Sequence, residues 1–394
     1  MTASGQNVVL RRLDDYSPDK VATALEELLA PLGGMAAFVR PGQQVLLKPN
    51  MLAGKAPKKA VTTHPELVRA VILAVQRAGG SVSVGDSPGV GQPRQVAKKC
   101  GILEVIEATG ARFAPFADSV KVRPAGGTFH ELEIARDILD ADLIINLPKL
   151  KTHQMMGLTC AVKNLFGAVV GMRKPRLHLQ AGSDKAFFAL MLLELAEQIR
   201  PALNIVDAVV GMEGDGPGSG DPVQIGALLA GSDAQAVDTV ATELVGFSPR
   251  QVWTQQIAAR TGRPLCRIDE IRLLGDALDG LRPRRFRPAK STDVNFGLPA
   301  FLERPLKNSL TARPVPDFEL CQACNLCVRH CPPKAMELRR GKLVIDYQRC
   351  IRCFCCQELC PHGALLTEQG LLLRLVDFLG KTSKSTKRPS VRKP

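Results

Sequence analysis

The cysteines of this chain are concentrated near its C-terminus in two runs that repeat one spacing. Nine of the 12 cysteines lie between residues 321 and 360, and each run ends in a cysteine that precedes a proline. The first run is Cys321-x2-Cys324-x2-Cys327-x3-Cys331, and the second is Cys350-x2-Cys353-x2-Cys356-x3-Cys360. Such concentration indicates ligands of a metal centre, because a disulfide framework would distribute its cysteines along the chain. The local fold must therefore be organised around bound metal.

Both runs have the spacing of the bacterial ferredoxin signature, in which the fourth cysteine of one run binds the cluster of the other. We therefore expect two [4Fe-4S] clusters. The first would be held by Cys321, Cys324, Cys327 and Cys360, and the second by Cys350, Cys353, Cys356 and Cys331. Zinc is the alternative metal, but Cys-x2-Cys alone is a weak zinc signal, and two complete repeats favour the clusters. Cys355 exceeds the pattern by one thiol, and we expect it to lie close to the second cluster without binding it.

The rest of the chain is long enough to contain one large or two ordinary globular domains. Hydrophobic residues make up 45% of the chain, whereas aromatic residues make up only 4%, which argues against a module that stacks nucleic-acid bases. The last 14 residues, KTSKSTKRPSVRKP, contain six basic and no acidic side chains and contribute to a net charge of +14. We expect residues 379–394 to form a disordered, solvated tail, and consider nucleic-acid binding unlikely for it.

The cellular location is predicted from the cysteines and the N-terminus. Oxygen-sensitive clusters and free thiols require a reducing compartment. The N-terminal sequence MTASGQNVVLRRLDDYS has no apolar signal core, and no stretch approaches 18 consecutive apolar residues. We therefore expect a soluble cytoplasmic protein without a membrane span.

The first 280 residues alternate short β-rich runs with helical patterns, which predicts an α/β fold with a largely parallel sheet. Thr63 is the expected N-cap of the second helix, and the strand before Pro148 is expected to break there into a basic loop. The main segments expected as strands are 7–12, 43–50, 81–89, 141–153 and 204–222, and those expected as helices are 19–32, 64–78 and 233–245.

These patterns divide the chain into four segments. Residues 1–280 are predicted to form the α/β domain, and residues 281–315 an Arg- and Pro-rich linker. Residues 316–378 are predicted to form a small α+β, ferredoxin-like domain with two clusters, followed by the basic tail. In a parallel α/β sheet, ligands bind beyond the carboxyl ends of the strands, so the loops at those ends are the candidate site.

Cationic side chains are unusually frequent at the ends of the predicted strands. Such a concentration favours an anionic substrate or cofactor. Lys163 lies in an apolar segment, where burial would lower its pKa and suit it as a nucleophile, a base or a charge partner. We expect Lys163, His153 and Lys48 to be catalytic, and Lys149, Lys151, Asp86 and His178 to bind the substrate or anion. A purely structural role for each of these side chains is the alternative.

Several segments together resemble the family known as domain of unknown function 362. The resemblance covers roughly residues 40 to 250 and implies the α/β architecture, often with an added two-cluster ferredoxin domain, but no reaction. Its motifs are KPNML (48–52), THPELV (63–68), VGDSPG (84–89), INLPKLKTH (145–153), VKNLFGAVVG (162–171), IVDAVVGMEGDGPGSG (205–220) and DAQAVD (233–238).

The central segment is also similar in layout to part of nickel-dependent lactate racemase. In that family a proton-transferring histidine precedes a cofactor-bearing lysine by ten residues, a spacing that His153 and Lys163 match. His178 comes within one residue of the position of a nickel ligand. Ala161 and Val162 replace two glycines of the racemase pattern, and no histidine stands near Asp86. The similarity implies a shared fold and site location, and it does not imply nickel or racemisation.

The leading functional hypothesis is an iron–sulfur redox protein whose two clusters relay electrons to a substrate or unidentified small-molecule cofactor in the α/β domain. It would be a ferredoxin-coupled oxidoreductase that works with a redox donor or acceptor protein. The alternative is a non-enzymatic electron carrier or assembly factor whose α/β domain docks a partner enzyme. The sequence contains no P-loop, no dinucleotide fingerprint and no G-x-S-x-G elbow, which disfavours those three chemistries.

Overall fold

The computed structural model describes residues 6–290 and 312–368, apart from residues 90, 125, 172, 182 and 183. The predicted tail and most of the predicted linker lie outside this part of the chain. The strands in the described residues are β1 Gln6–Arg12, β2 Gln44–Pro49, β3 Ser81–Val84, β4 Arg112–Phe113, β5 Ser119–Val122, β6 Leu132–Ala135, β7 Leu143–Leu147, β8 Lys149–His153, β9 Gly157–Thr159, β10 Leu203–Glu213, β11 Asp221–Gly231, β12 Ile271–Gly275, β13 Arg313–Pro316, β14 Met336–Arg339, β15 Lys342–Ile345 and β16 Leu365–Glu368.

A central sheet of ten strands organises the α/β region. Its main order is β12-β1-β11-β10-β7-β2-β3-β4, and β8 and β9 continue it beside β10. Neighbouring strands are parallel in most pairs, whereas β11 runs antiparallel to both β1 and β10, and β9 antiparallel to β8. The predicted α/β class with a largely parallel sheet is therefore confirmed, with antiparallel pairs where β9 and β11 join.

Helices cover both faces of this sheet. Their apolar sides pack into large buried clusters, one built around α1, α2 and α4 and another around α8. The α-helices in the described residues are α1 Pro18–Leu29, α2 Pro65–Arg77, α3 Pro93–Lys99, α4 Ile102–Ala108, α5 Arg136–Leu139, α6 Ala161–Asn164, α7 Arg173–Ala181, α8 Lys185–Ile199, α9 Ala234–Leu244, α10 Trp253–Arg260, α11 Leu278–Leu281, α12 Leu326–Arg329 and α13 Cys355–Leu359. None of the helices within these residues is both long and apolar enough to cross a bilayer.

The start of α2 differs from the expectation that Thr63 caps it. His64 is the N-cap, and its side chain accepts a hydrogen bond from the backbone nitrogen of Glu66 at 3.2 Å. The Thr63 hydroxyl instead donates to the carbonyl of Leu147 at 2.6 Å and accepts from the backbone nitrogen of Asn50 at 2.8 Å. Thr63 is buried, and its hydroxyl links the ends of β2 and β7. The prediction that Thr63 caps α2 was therefore wrong.

The segment after Pro148 is a strand, not the predicted basic loop. Strand β10 runs beside both β7 and β8, pairing Asn204 with Asn146 and then Asp207 with Lys149. Pro148 has no N–H to donate, but its carbonyl accepts the backbone N–H of Asp207 at 2.9 Å. The proline therefore does not end the pairing with β10, and the five residues of β8 are all buried.

The cysteine-rich region is built from short elements. A hairpin of β14 and β15 packs with α12 around an apolar cluster that includes several cysteines. Strand β13 pairs antiparallel with β16, from Arg313 with Glu368 to Pro316 with Leu365. The first three residues of β13 lie in the predicted linker, but their pairing with β16 places them with the cysteine-rich region. This arrangement has the small α+β, ferredoxin-like character expected from the sequence.

Candidate functional site

Four cysteines from both runs surround one cavity in the cysteine-rich region. Cys321, Cys324 and Cys327 line it together with Cys360 of the second run. Burial raises the pKa of the Cys327 thiol to about 11, and the negative charges of Cys360, Cys324 and Cys321 add to the shift. These thiols therefore lie close enough to interact, and they are the four expected to hold the first cluster.

The other four cysteines form a second, more buried group. The pKa of the Cys356 thiol is raised well above its usual value, first by burial and then by the charges of Cys353 and Cys350. The pKa of Cys331 is raised by burial and by the charge of Cys353, although Cys331 belongs to the first run. This exchange of fourth cysteines provides two sets of four thiols, which suits [4Fe-4S] clusters.

The described residues contain no group of three or more His, Cys, Asp or Glu side chains placed to hold a single metal ion. The fit of the cysteines to clusters therefore rests on their grouping in two sets of four.

A separate cavity lies at the carboxyl ends of β2, β3 and β8, in the α/β region. The structure brings five of the predicted site residues to its wall: Asp86, Lys151, His153, Lys163 and His178. All five are buried, with exposed fractions of at most 9%. The location agrees with the general rule that ligands of such sheets bind beyond the strand ends.

Lys48 lies directly behind this wall and forms a buried ion pair. Its Nζ donates to Asp86 Oδ1 at 2.7 Å and to the carbonyl of Asn164 at 2.6 Å. Burial lowers the pKa of Lys48, and the nearby charge of Asp86 opposes this shift. A Cβ added to Gly167 would lie 1.9 Å from Asp86 Oδ1 and 2.5 Å from Lys48 Nζ. The ion pair thus requires a glycine at position 167.

Lys149, in contrast, does not reach the cavity. Its Nζ donates to Asp207 Oδ2 and to the hydroxyl of Tyr16, both at 2.9 Å. Tyr16 stacks on His64 with ring centroids 3.6 Å apart, and its hydroxyl donates to Asp207 at 2.6 Å. Burial lowers the pKa of Lys149, against the effect of Asp207. These contacts occupy Lys149 within the protein, away from the cavity. They do not support its predicted role in binding substrate.

Lys151 is held by a chain of buried amides. Its Nζ donates to Asn50 Oδ1 at 3.0 Å and to the carbonyl of Val61 at 2.7 Å. Asn50 donates to Asn164 Oδ1 at 2.8 Å, and Asn164 donates to Asn146 Oδ1 at 2.8 Å. The chain fixes the side chains on three strand ends relative to one another. Sequence reasoning missed these asparagines, although Asn50 and Asn164 follow Lys48 and Lys163 in the KPN and VKN motifs.

The hydrogen bonds of His153 define which ring nitrogen carries its proton. His153 Nδ1 accepts the backbone N–H groups of Met155 at 3.0 Å and Met156 at 3.1 Å. An acceptor nitrogen carries no proton, so the neutral ring has its proton on Nε2. Protonating Nδ1 would remove both bonds. His153 is therefore suited to donate a hydrogen bond from Nε2, and is poorly suited to act as a base.

Lys163 and His178 lie in an aromatic environment. The Nζ atom of Lys163 is 5.3 Å from the ring centroid of Phe166, within range of a cation–π contact. The ring of His178 stacks on Phe188 at 4.2 Å and meets the edge of Phe166 at 5.7 Å. These contacts restrict both side chains at one end of the cavity.

Lys174 and Thr159 also line the cavity, and neither was among the predicted site residues. Lys174 donates to the hydroxyl of Ser87 at 2.8 Å and to the carbonyl of Pro88 at 3.1 Å. Thr159 lies at the end of β9 and is 4% exposed. Lys174 belongs to the cationic segment near His178, a signal that the sequence offered, whereas an isolated threonine gives none.

The wall of the cavity is completed by the cysteine-rich region. Cys355 and Leu359 of α13 line it beside Pro217 of the glycine-rich loop after β10. The two regions also meet at Lys290, which donates to Asp215 at 3.0 Å and to the carbonyl of Thr367 at 2.9 Å. Lys55 donates to the carbonyl of Pro361. A residue next to the predicted cluster ligand Cys356 therefore borders the same cavity as the cationic side chains.

The fold and the two groups of cysteines define an iron–sulfur protein with a mostly parallel α/β region. Residues 45–243 match the family named domain of unknown function (DUF362), and residues 313–361 match a 4Fe-4S dicluster domain. The chain belongs to the DUF362 family.

One relative is a thylakoid-associated protein of Synechocystis sp. It is 37% identical over 311 residues, which cover 77% of this chain and 94% of the relative. The predicted cytoplasmic location stays a prediction, since this relative is associated with thylakoids.

Two solved structures have weak similarity to the fold. The lactate racemase apoprotein from Thermoanaerobacterium thermosaccharolyticum has a TM-score of 0.39 and 16% identity, over 60% of this chain and 56% of that one. A structural-genomics protein from Thermotoga maritima has a TM-score of 0.36 and 16% identity, over 59% and 60%. The chain thus spans less than two thirds of either structure.

Proposed function

We propose that this protein is an iron–sulfur oxidoreductase that transfers electrons to or from a small anionic molecule bound in the α/β cavity. The observation that supports it is the composition of the cavity wall. Cationic side chains of the α/β region and two residues of α13 border the same space. A protein that only carried electrons would need no such shared cavity.

The cysteines would hold the electron-carrying groups. Cys321, Cys324, Cys327 and Cys360 are the proposed ligands of the first cluster, and Cys350, Cys353, Cys356 and Cys331 those of the second. When bound, [4Fe-4S] clusters accept and release single electrons.

The exposure of the thiols suggests the order in which electrons pass through the two groups of cysteines. Cys324 is exposed, whereas Cys353 and Cys356 are 8% and 7% exposed. We infer that a partner redox protein exchanges electrons at the first group, and that the second group faces the cavity.

The α/β residues would bind and orient the molecule. Lys163 and Lys151 supply positive charge in a buried site, where charges are weakly screened. His153 would donate a hydrogen bond from Nε2 to an oxygen of the anion. Lys48 and Asp86 would act as positioning residues, because their ion pair supports the cavity wall from behind. Lys149 is left out of this proposal, since it pairs with Asp207.

Native mass spectrometry of anaerobically purified protein tests the proposal. We expect about eight irons per chain, the content of two [4Fe-4S] clusters, together with a co-purified small anion. Lys163→Ala and His153→Ala should keep the iron and lose the anion. Lys98→Ala and His130→Ala are matched controls, because both side chains are exposed on the surface, and they should keep both.

The electron transfer itself is tested with the reduced protein. Clusters reduced by dithionite should be reoxidised by the recovered anion in the wild type, and much more slowly in Lys163→Ala. Equal reoxidation in both would contradict the proposed site. If Lys163→Ala and His153→Ala also support normal cellular function while cysteine variants abolish it, the α/β region is a docking module and the carrier hypothesis replaces this one.

A further inference from the structure

The second cysteine run contributes a thiol to the cavity that the predicted clusters do not use. Cys355 begins α13 and shares one face of this helix with Leu359, four residues later, and both line the cavity. Cys356 points elsewhere and belongs to the second group of four thiols. Cys355 is 5% exposed, so its surroundings are the cavity and the helix rather than bulk solvent.

A polar group in the same cavity has no hydrogen-bond partner among the described residues. The hydroxyl of Thr159 is buried and unpaired, and Thr159 lines the cavity. A buried hydroxyl without a partner destabilises the fold, because it has given up its hydrogen bonds to water. A bound acceptor oxygen would remove this cost. Thr159 lines the cavity together with His153 and Lys163, so an oxygen bound there also lies among donors and cations.

On the premise of the proposed function, we propose that Cys355 and Thr159 complete a binding site for a small organic oxyanion. The oxyanion group accepts a hydrogen bond from Thr159 and lies among Lys151, Lys163 and His153. The part of the molecule that exchanges electrons lies against Cys355. Cys355 is thereby a contact residue between the ligand and the cysteine-rich region, and not the bystander that the sequence suggested.

The other cysteines outside the two groups do not compete for this role. Cys100 and Cys160 are at most 1% exposed, Cys266 is 9% exposed, and none of them lines the cavity. Burial raises the pKa of Cys100 to about 11, and the pKa of Cys160 is raised well above its usual value by burial and by the charge of Asp238. Alkylation from the cavity would therefore single out Cys355.

The test uses two alkylating reagents of similar size on the anaerobic, cluster-loaded protein. Iodoacetate is an anion, and iodoacetamide is its neutral counterpart. A basic cavity should raise the local concentration of the anion, so we expect Cys355 to react about tenfold faster with iodoacetate. An ordinary surface thiol does not share this preference. Peptide mass spectrometry identifies the alkylated cysteine, and Cys355→Ser should abolish that label while its iron content stays at the wild-type level.

Two variants and two competitors locate the oxyanion group. Lys163→Gln should remove the preference for iodoacetate and leave the iodoacetamide rate unchanged. Inorganic phosphate and acetate should each slow the labelling by iodoacetate, and the more effective one identifies whether the ligand is a phosphate or a carboxylate. Thr159→Val, which has nearly the same shape, should raise the competitor concentration required by about tenfold, in line with one lost hydrogen bond.

Failure of the site is distinct from failure of the proposed function. The site is refuted if Cys355 reacts no faster with iodoacetate, or if the preference persists in Lys163→Gln. If the labelling follows expectation but the bound anion never reoxidises the reduced clusters, the binding site stands and the redox proposal fails.

Discussion

The two groups of cysteines come from the same spacing, yet they lie in different surroundings. The first group surrounds a cavity of its own, and its Cys324 is exposed. In the second group Cys350, Cys353 and Cys356 are each less than 9% exposed. The difference arises from what packs outside each run, because α13 of the second run lies against the α/β cavity. Identical ligand patterns can thus give one group that is partly exposed and another that is buried against the α/β region.

The largest effect should come from removing one thiol of either group. Cys324→Ser and Cys353→Ser should each lower the iron content from about eight to about four per chain, since each removes a ligand of one cluster. Only Cys353→Ser should also release the co-purified anion, because Cys353 packs with Cys355 and Leu359. Iron analysis and native mass spectrometry measure both. Cys266→Ser is the control, and release of the anion by Cys324→Ser would remove the distinction between the groups.

A second large effect is expected at the wall of the cavity. Gly167→Ala places a Cβ 1.9 Å from Asp86 Oδ1 and must separate the Lys48–Asp86 pair. Breaking a buried ion pair costs about 3–5 kcal/mol, so the free energy of unfolding of the α/β region should fall by this amount. Gly280→Ala is a matched control, because an added Cβ there meets nothing within 4 Å.

The spectra should report on the same change. Gly167→Ala should alter the spectroscopic signal of the second cluster and leave that of the first unchanged. Equal changes in both signals would contradict the separation of the two sites.

The pH dependence of stability should reveal the carboxyl group that anchors α6. Asp238 accepts the backbone N–H groups of Ala161 at 2.6 Å and Val162 at 3.2 Å, and burial raises its pKa to about 7. In this pH range the folded state binds more protons than the unfolded state, so this group's contribution to stability falls as pH rises from about 4 to about 7.

The corresponding variant is Asp238→Asn. A shift of about three pKa units sets an upper limit of about 4 kcal/mol on the effect. Relative to Asp238→Asn, the wild type should therefore be more stable at about pH 5.5 than at about pH 7.5. Denaturant titrations at several pH values measure this difference, and a difference independent of pH would show that Asp238 is ionised throughout.

The smallest effect should be electrostatic. Arg352 is 5% exposed, and burial lowers its pKa while the charge of Cys350 raises it. A positive charge beside the second group favours the reduced state of a cluster there. Arg352→Gln should lower the potential of that cluster by about 60 mV, equivalent to tenfold for a one-electron couple. Redox titration followed by electron paramagnetic resonance measures it, and a similar shift of the first cluster would argue against two separate environments. Arg340→Gln is the exposed control.

The sequence was most informative where a local pattern determines the structure. The cysteine spacing predicted which thiols come together, and apolar runs predicted β1, β2, β3 and β10. Strand β11 was not predicted, since its position between β10 and β1 depends on pairing with β1, which lies far away in the chain. The same holds for β8, which continues past Pro148 because β10 lies alongside it.

For the site residues, too, local motifs were informative and long-range contacts were not predictable. The motifs indicated side chains of which five line the cavity, but alternation along β8 could not tell that Lys151 reaches it while Lys149 meets Asp207. The acidic partner is 58 positions away along the chain. The place of Cys355 in the cavity depends on how the two regions pack, and no local pattern encodes that contact.

The pairing of β13 with β16 has a consequence for how this architecture could arise. The chain enters and leaves the cysteine-rich region at adjacent points, because Arg313 lies opposite Glu368. A segment whose ends lie side by side can be inserted or exchanged without moving the flanking chain. The cysteine-rich region therefore has the arrangement of an insertable domain. Recombination or protein engineering could replace it with another domain while the α/β sheet stays intact.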